Sequence, residues 1–220
     1  MAPKSIAFNR DVVLAAALEV VRKSGLDHLT ARAAAKRLKA SVAPVYRAFR
    51  SMDDLTRAVL EAARIRMDEE TRRPFSDIPF LNIGVGIVVF ARDETRLFQA
   101  LFLSRHRNKD ILEKFNASVL TRMKEDAMLR PLPDSSLERL LDSIWLYTLG
   151  LATAIVYGQV PDMRTETIVR RLKDMGNILM YAEVAGIADG DSPACEAEWA
   201  RLLREKGLRI PGQAEKEEVR

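Results

Sequence analysis

The side chains able to do chemistry are unevenly spread along this chain of 220 residues. Two histidines and the single Cys195 leave no His/Cys zinc set and no disulfide within the chain. A glycine-rich phosphate loop, a nucleophile elbow and a spaced carboxylate–histidine cluster are all missing from the sequence. No catalytic constellation and no cofactor site is therefore expected. What stands out is a set of cations and hydroxyls, Thr30, Arg32, Lys36, Lys39, Ser41, Arg47 and Arg50, around Val42, Ala43, Pro44 and Tyr46. Arg and Lys neutralise phosphate oxygens, and hydroxyls and helix N-terminal amides hydrogen-bond to them. Val, Ala and Pro carry no hydrogen-bonding side-chain atoms and suit thymine methyls on base edges. An outward apolar cluster framed by cations makes poor solvated surface and a good face for the major groove of DNA.

Helices must position these groups. Leu14, Ala17, Leu18 and Val21 fall at i, i+3, i+4 and i+7, one apolar stripe of a helix from Asp11 to Lys23. Asn9 is its expected N-cap and Gly25 its stop. Thr30 caps a second helix reaching about Leu38, and Ser41 a third ending near Phe49. Ala34, Ala35 and Leu38 would face inward from the second, Val45 and Phe49 from the third. Two short helices joined by a tight turn make a helix-turn-helix. Asp53 and Asp54 open a longer helix to about Glu70, with Leu55, Val59 and Leu60 inward.

Charge follows the same division. Residues 1–50 hold ten Lys/Arg against three Asp/Glu, and residues 51–220 hold twenty-five against twenty-eight. A basic head on a slightly acidic body fits a nucleic-acid-binding module joined to something else. Hydrophobic residues make up 48% of the chain, ample for a core, yet no run of 18 uninterrupted apolar residues suggests a membrane span. With a lone cysteine and no apolar leader, a cytoplasmic protein without membrane contact is expected.

The run from Gly25 to Leu55 resembles the tetracycline-repressor (TetR) family of bacterial regulators. The matching pieces are GLDHLTARAAAKRL, then Ser41, the VYRAF of Val45 to Phe49 and the SMDDL of Ser51 to Leu55. The resemblance implies that Ser41 to Tyr46 lead into and form a recognition helix. It also implies that Val42, Ala43 and Pro44 lie nearest the bases and that Tyr46 and Thr30 hold the backbone. Two positions depart from the pattern. Lys39 stands where the family turn has Gly, which demands a strained or shifted backbone. Met52 stands where a basic residue is usual, so Arg50 is expected to supply that phosphate contact.

The fold class is all-α, with residues 1–55 as a DNA-binding domain and its connecting helix running to about 73. Residues 74–220 would form a helical effector-binding and dimerisation domain. The linker Pro74–Pro79 is followed by helical stretches at about 80–92, 94–106 and 108–128, then 136–158 and 161–185, and a short last helix carrying Trp199, Leu202 and Leu203. The wide apolar faces of 136–158 and 161–185, with Gly150, Ala152, Ala154 and Gly176, suit a four-helix bundle built by a homodimer. The resemblance further implies release from an inverted-repeat operator by a small-molecule effector, in a pocket for which Phe90, Phe98, Phe102, Trp145, Tyr147 and Tyr157 are the candidates. The alternative is a dimeric DNA-binding adaptor or architectural protein with no effector.

Overall fold

The computed structural model describes residues 8–104 and 109–184, with Ala197, Arg201 and Glu205. The expected last helix, apart from those three positions, lies outside the described residues, as does Cys195. The described residues are helical throughout, with no strand among them. The chain divides into two compact units, Met1–Lys173 and Asp174–Arg220.

The first unit begins with four helices whose ends are set by local chemistry. Helix α1 (Arg10–Ser24) starts where the Asn9 side chain accepts the Val12 N–H, and it stops at Gly25, whose φ of 89° only glycine adopts without strain. A 3₁₀ turn (Leu26–His28) leads to α2 (Ala31–Leu38), capped by the Thr30 hydroxyl accepting from Ala33 N–H. The short α3 (Ala43–Ala48) follows, and α4 (Met52–Glu70) begins where the Ser51 hydroxyl accepts from Asp54 N–H. Val13, Ala17, Val21, Ala34, Ala35, Val45, Phe49, Leu55 and Val59 form the core of this head. Leu14 and Leu38, expected inside, are only half-buried at its margin. Ser41 does not cap the third helix: α3 starts two residues later, with Val42 at the N-cap position and no side-chain cap.

The stretch from Pro74 to Pro79 is a folded corner. Asn82 holds it, accepting from the Ser76 N–H and hydroxyl at 2.8 and 2.9 Å and donating to the Ser76 carbonyl at 2.9 Å. Helix α5 (Pro79–Asp93) then runs buried for most of its length and packs most extensively on α8 (Asp134–Val156). Close approach requires Gly86. A Cβ there would lie 2.5 Å from both the Glu70 carbonyl oxygen and the Thr71 Cα, at the end of α4.

The helix expected over 94–106 is two pieces, α6 (Thr95–Phe98) running into a π-helix (Gln99–Leu103). One added residue per turn re-aims the side chains on either side of such a stretch. Helix α7 (Lys109–Glu125) buries Ile111, Phe115, Val119 and Met123 at a spacing of four. Helix α9 (Thr165–Val184) buries Thr167, Ile168 and Leu172.

Candidate nucleic-acid interface

The α2–turn–α3 unit turns on Lys39. Its backbone is left-handed, φ 53° and ψ 41°, and it is the one non-glycine residue with positive φ among the described residues. The Lys39 N–H bonds the Lys36 carbonyl and the Ala40 N–H reaches back to the Ala35 carbonyl, both at 3.1 Å. That pairing is a Schellman ending, which requires a left-handed residue at this position. Without glycine it costs about 1 kcal/mol. The sequence-based expectation of a strained turn thus takes a definite form: regular hydrogen bonding, with strain confined to one residue.

Beyond the turn, Ser41, Val42, Ala43, Tyr46 and Arg47 are exposed, while Pro44 is buried beside Val45. Pro44 was expected outside, and its burial corrects that reading. At the first turn of a helix its fixed φ and missing N–H carry no penalty. Its ring instead serves the packing of α3. The exposed apolar edge therefore narrows to Val42 and Ala43, flanked by Tyr46 with 57% of its surface open.

Thr30, Arg32, Lys36 and Arg50 are exposed as well. Thr30 spends an acceptor lone pair on its helix cap, which leaves its O–H free to donate to a phosphate oxygen. Arg10 is engaged within the head. Its guanidinium stacks 4.1 Å from the Phe49 ring centroid, donates to the Ala48 carbonyl at 3.1 Å and pairs with Asp54 at 3.2 Å. It fastens the end of α3 to α1 and α4, and Asp54 is held below its ordinary pKa by that bond first and by the Arg50 N–H second.

Polar ties join the head to the helices behind it. Glu94, at the joint between α5 and α6, accepts from Arg22 of α1 at 2.7 Å and faces Arg66 of α4 at 3.7 Å. Arg57 of α4 pairs with Asp110 at the start of α7. Fourteen residues along α4, Arg122 of α7 donates to the Thr71 hydroxyl and carbonyl at 2.9 and 2.8 Å, with Asp68 at 3.8 Å. Burial pushes the Arg122 pKa down, the nearby Arg72 charge adds to this, and Asp68 opposes it. Two ties in the same order along both helices show that α4 and α7 run parallel. Neither Glu94 nor Arg122 carries a sequence signal, because their partners lie far away in the chain.

The proposed effector residues separate. Phe98 and Phe102 approach to 4.9 Å between centroids, Phe102 and Trp145 to 5.7 Å. Phe115, not foreseen, joins Trp145 at 6.1 Å. The four-residue period of α7 was the signal that marks Phe115 as inward. Phe90 is fully buried in α5, and Tyr147 is half-buried. Tyr157, at the end of α8, is 62% exposed and stands apart from this cluster. Among the described residues no group of His, Cys, Asp and Glu is placed to hold a metal ion.

A basic three-helix head with a helix-turn-helix, standing on a helical body, defines a DNA-binding protein of the helix-turn-helix class. Residues 13–59 match the sequence model of the bacterial regulatory proteins of the tetR family. The match covers the helix-turn-helix head, so this part of the chain resembles that family's DNA-binding domain. Its fold is similar to a TetR-like transcriptional regulator from Rhodococcus sp. RHA1, with a TM-score of 0.57 at 16% identity over 84% of this chain and 100% of that one. A possible TetR family transcriptional regulator from Streptomyces coelicolor A3(2) aligns with a TM-score of 0.51 at 18% identity, over 78% of this chain and 100% of that one. At such identities the likeness is one of fold. No curated protein matches the chain.

Proposed function

We propose that the chain acts as a homodimeric repressor that grips an inverted-repeat operator through two heads and is released by an apolar small molecule. The observation that carries the dimer is the outer surface of α8. Helix α8 buries Leu137, Leu140, Leu151 and Ile155, yet leaves Leu146 exposed at 63%. A Cβ added at Gly150 would meet nothing within 4 Å, so another helix can come close there. Exposed apolar surface and room for close approach on one long helix favour association, and a second copy is the partner that a two-fold operator needs. Ala152, expected at the outer face, is fully buried and supports α8 from within.

In this reading residues 1–55 form the head, α4 connects it to a body from residue 74, and Phe98, Phe102, Phe115 and Trp145 surround the effector. An effector acts only through different affinities for the DNA-competent and DNA-incompetent states. Phe98 ends α6 and Phe102 lies in the π-helix that follows it directly, while α6 itself follows Glu94, the carboxylate tied to Arg22 and Arg66 of the head. A molecule that displaces these rings therefore has a short path to the recognition helix.

Selection of binding sites from random duplex DNA by the purified chain tests the proposal. It should enrich an inverted repeat whose half-sites lie about one helical turn or a small multiple apart. Enrichment of single, unpaired half-sites would overturn the dimeric reading. Added aromatic ligands should then release the enriched duplex and raise the thermal midpoint of the free protein. A broad panel that does neither would favour the effector-free adaptor.

A further inference from the structure

Lys39 pays for its place in the turn and gains nothing visible in the free protein. It is left-handed where glycine is unstrained, and it lacks the short polar side chain with which Asn or Asp supports that conformation. Its ammonium is exposed and makes no hydrogen bond or ion pair among the described residues. The contrast with its neighbour Arg37 is informative. Arg37 turns back to Glu19 of α1 at 3.5 Å, whereas Lys36 and Lys39 have no partner among the described residues.

Position supplies the rest. Lys39 lies two residues before Ser41, so their Cα atoms are at most about 7 Å apart. The exposed edge of Val42 and Ala43 follows at once. A surface that places these side chains at base edges must set the preceding turn beside the rim of the groove, where the phosphates run. A four-carbon stem ending in a point charge suits that place, since it needs no fixed geometry. We propose that the Lys39 ammonium is a DNA-backbone contact, held at the turn between α2 and α3, and that its charge is kept there at the expense of the head's stability. The inference rests on DNA binding by this head and adds a residue to it.

The full-length chain tests it with three variants, Lys39→Gly, Lys39→Gln and Lys39→Arg. Thermal unfolding and titration against mixed-sequence duplex DNA over a range of salt give the two readouts. Lys39→Gly relieves the strain, so its thermal midpoint should rise by about 2–4 °C. Its DNA affinity should nonetheless fall about fivefold per head at 0.15 M salt, and the slope of log affinity against log salt should become shallower by about 0.9 per head. Lys39→Gln keeps the strained backbone without the charge and should lose the same affinity without the gain in midpoint. Lys39→Arg should restore both affinity and slope. Wild-type affinity and slope in the Gly and Gln variants would overturn the proposal. A wild-type chain that bound no duplex at all would instead fail the regulator reading on which it stands.

Discussion

The head and the body are both all-helical, but they are held together in different ways. In the head, Asn9, Thr30 and Ser51 each cap a helix through a bond to a residue three positions on, and Gly25 and Lys39 end helices by their own dihedrals. These devices are local, so each can be written into a few residues. In the body, α5 and α8 begin without side-chain caps, and helices are fixed by contacts made across the chain: Gly86 against Thr71 and Arg122 on the end of α4. A head built locally can keep one shape while the body behind it shifts.

The largest effect that would break or sharpen this contrast is in the body. Gly86→Ala puts a Cβ onto the backbone of α4, where no side-chain rotation relieves it, and forced overpacking of this kind costs about 3 kcal/mol. For a chain of this size that lowers the thermal midpoint by about 6–12 °C. Gly150→Ala, inside α8 and facing open space, should instead raise the monomer's midpoint by about 2–4 °C, because Ala is the better helix former. An equal rise in the two variants would mean that helix propensity, not the crossing, decides the outcome.

Next comes the polar tie between α7 and α4. Arg122→Met keeps the apolar stem but strips two donors from Thr71, for a loss of about 2 kcal/mol in unfolding by urea. The head's own affinity for DNA should change little at temperatures where the variant is folded. A variant as stable as the parent would show that the desolvation of Arg122 cancels its hydrogen bonds.

How far each region can be read from sequence follows from the same contrast. Every head helix lies within two residues of its expected span, because caps, stops and the apolar stripe are all local signals. Lys39 was legible too, as a position where the resemblance demands a strained or shifted backbone, and the left-handed form is what the structure adds. Pro44 was misplaced, since a six-residue helix has too few turns for its period to show which side faces in. In the body the helices were legible and their joints were not. The π-helix at Gln99–Leu103 has no composition cue, and Tyr157 reads like any other inward aromatic until the end of α8 leaves it in solvent.

The reading edge gives a smaller effect of a different kind. Tyr46→Ala should weaken binding about tenfold on every duplex, a backbone loss. Val42→Thr should leave non-specific affinity alone and change which bases are selected, by about 1–3 kcal/mol between the best and next-best base at one position. Pro44→Ala, inside the head, should lower its stability without altering the selected sequence. A changed sequence in the Pro44 variant would restore that residue to the base-facing edge.

The smallest effect concerns acid, and it isolates the exposed polar fastening of the head. Asp54 has a folded-state pKa below its ordinary 3.8, because it accepts from the Arg10 guanidinium and from the Arg50 N–H. A carboxylate stabilised in this way contributes fully above its unfolded-state value and loses the contribution as pH falls through the folded-state one. The difference in thermal midpoint between the wild type and Asp54→Asn should therefore be constant from neutral pH down to about 5, shrink below about 4, and vanish in stronger acid. Added salt should shrink it at any pH, because both partners are open to solvent. Arg10→Gln should reproduce most of the loss and also free the end of α3, so its DNA affinity should fall where that of Asp54→Asn falls less. If the two variants lose affinity equally, the Asp54 bond and not the stacking on Phe49 is what sets the angle of the recognition helix.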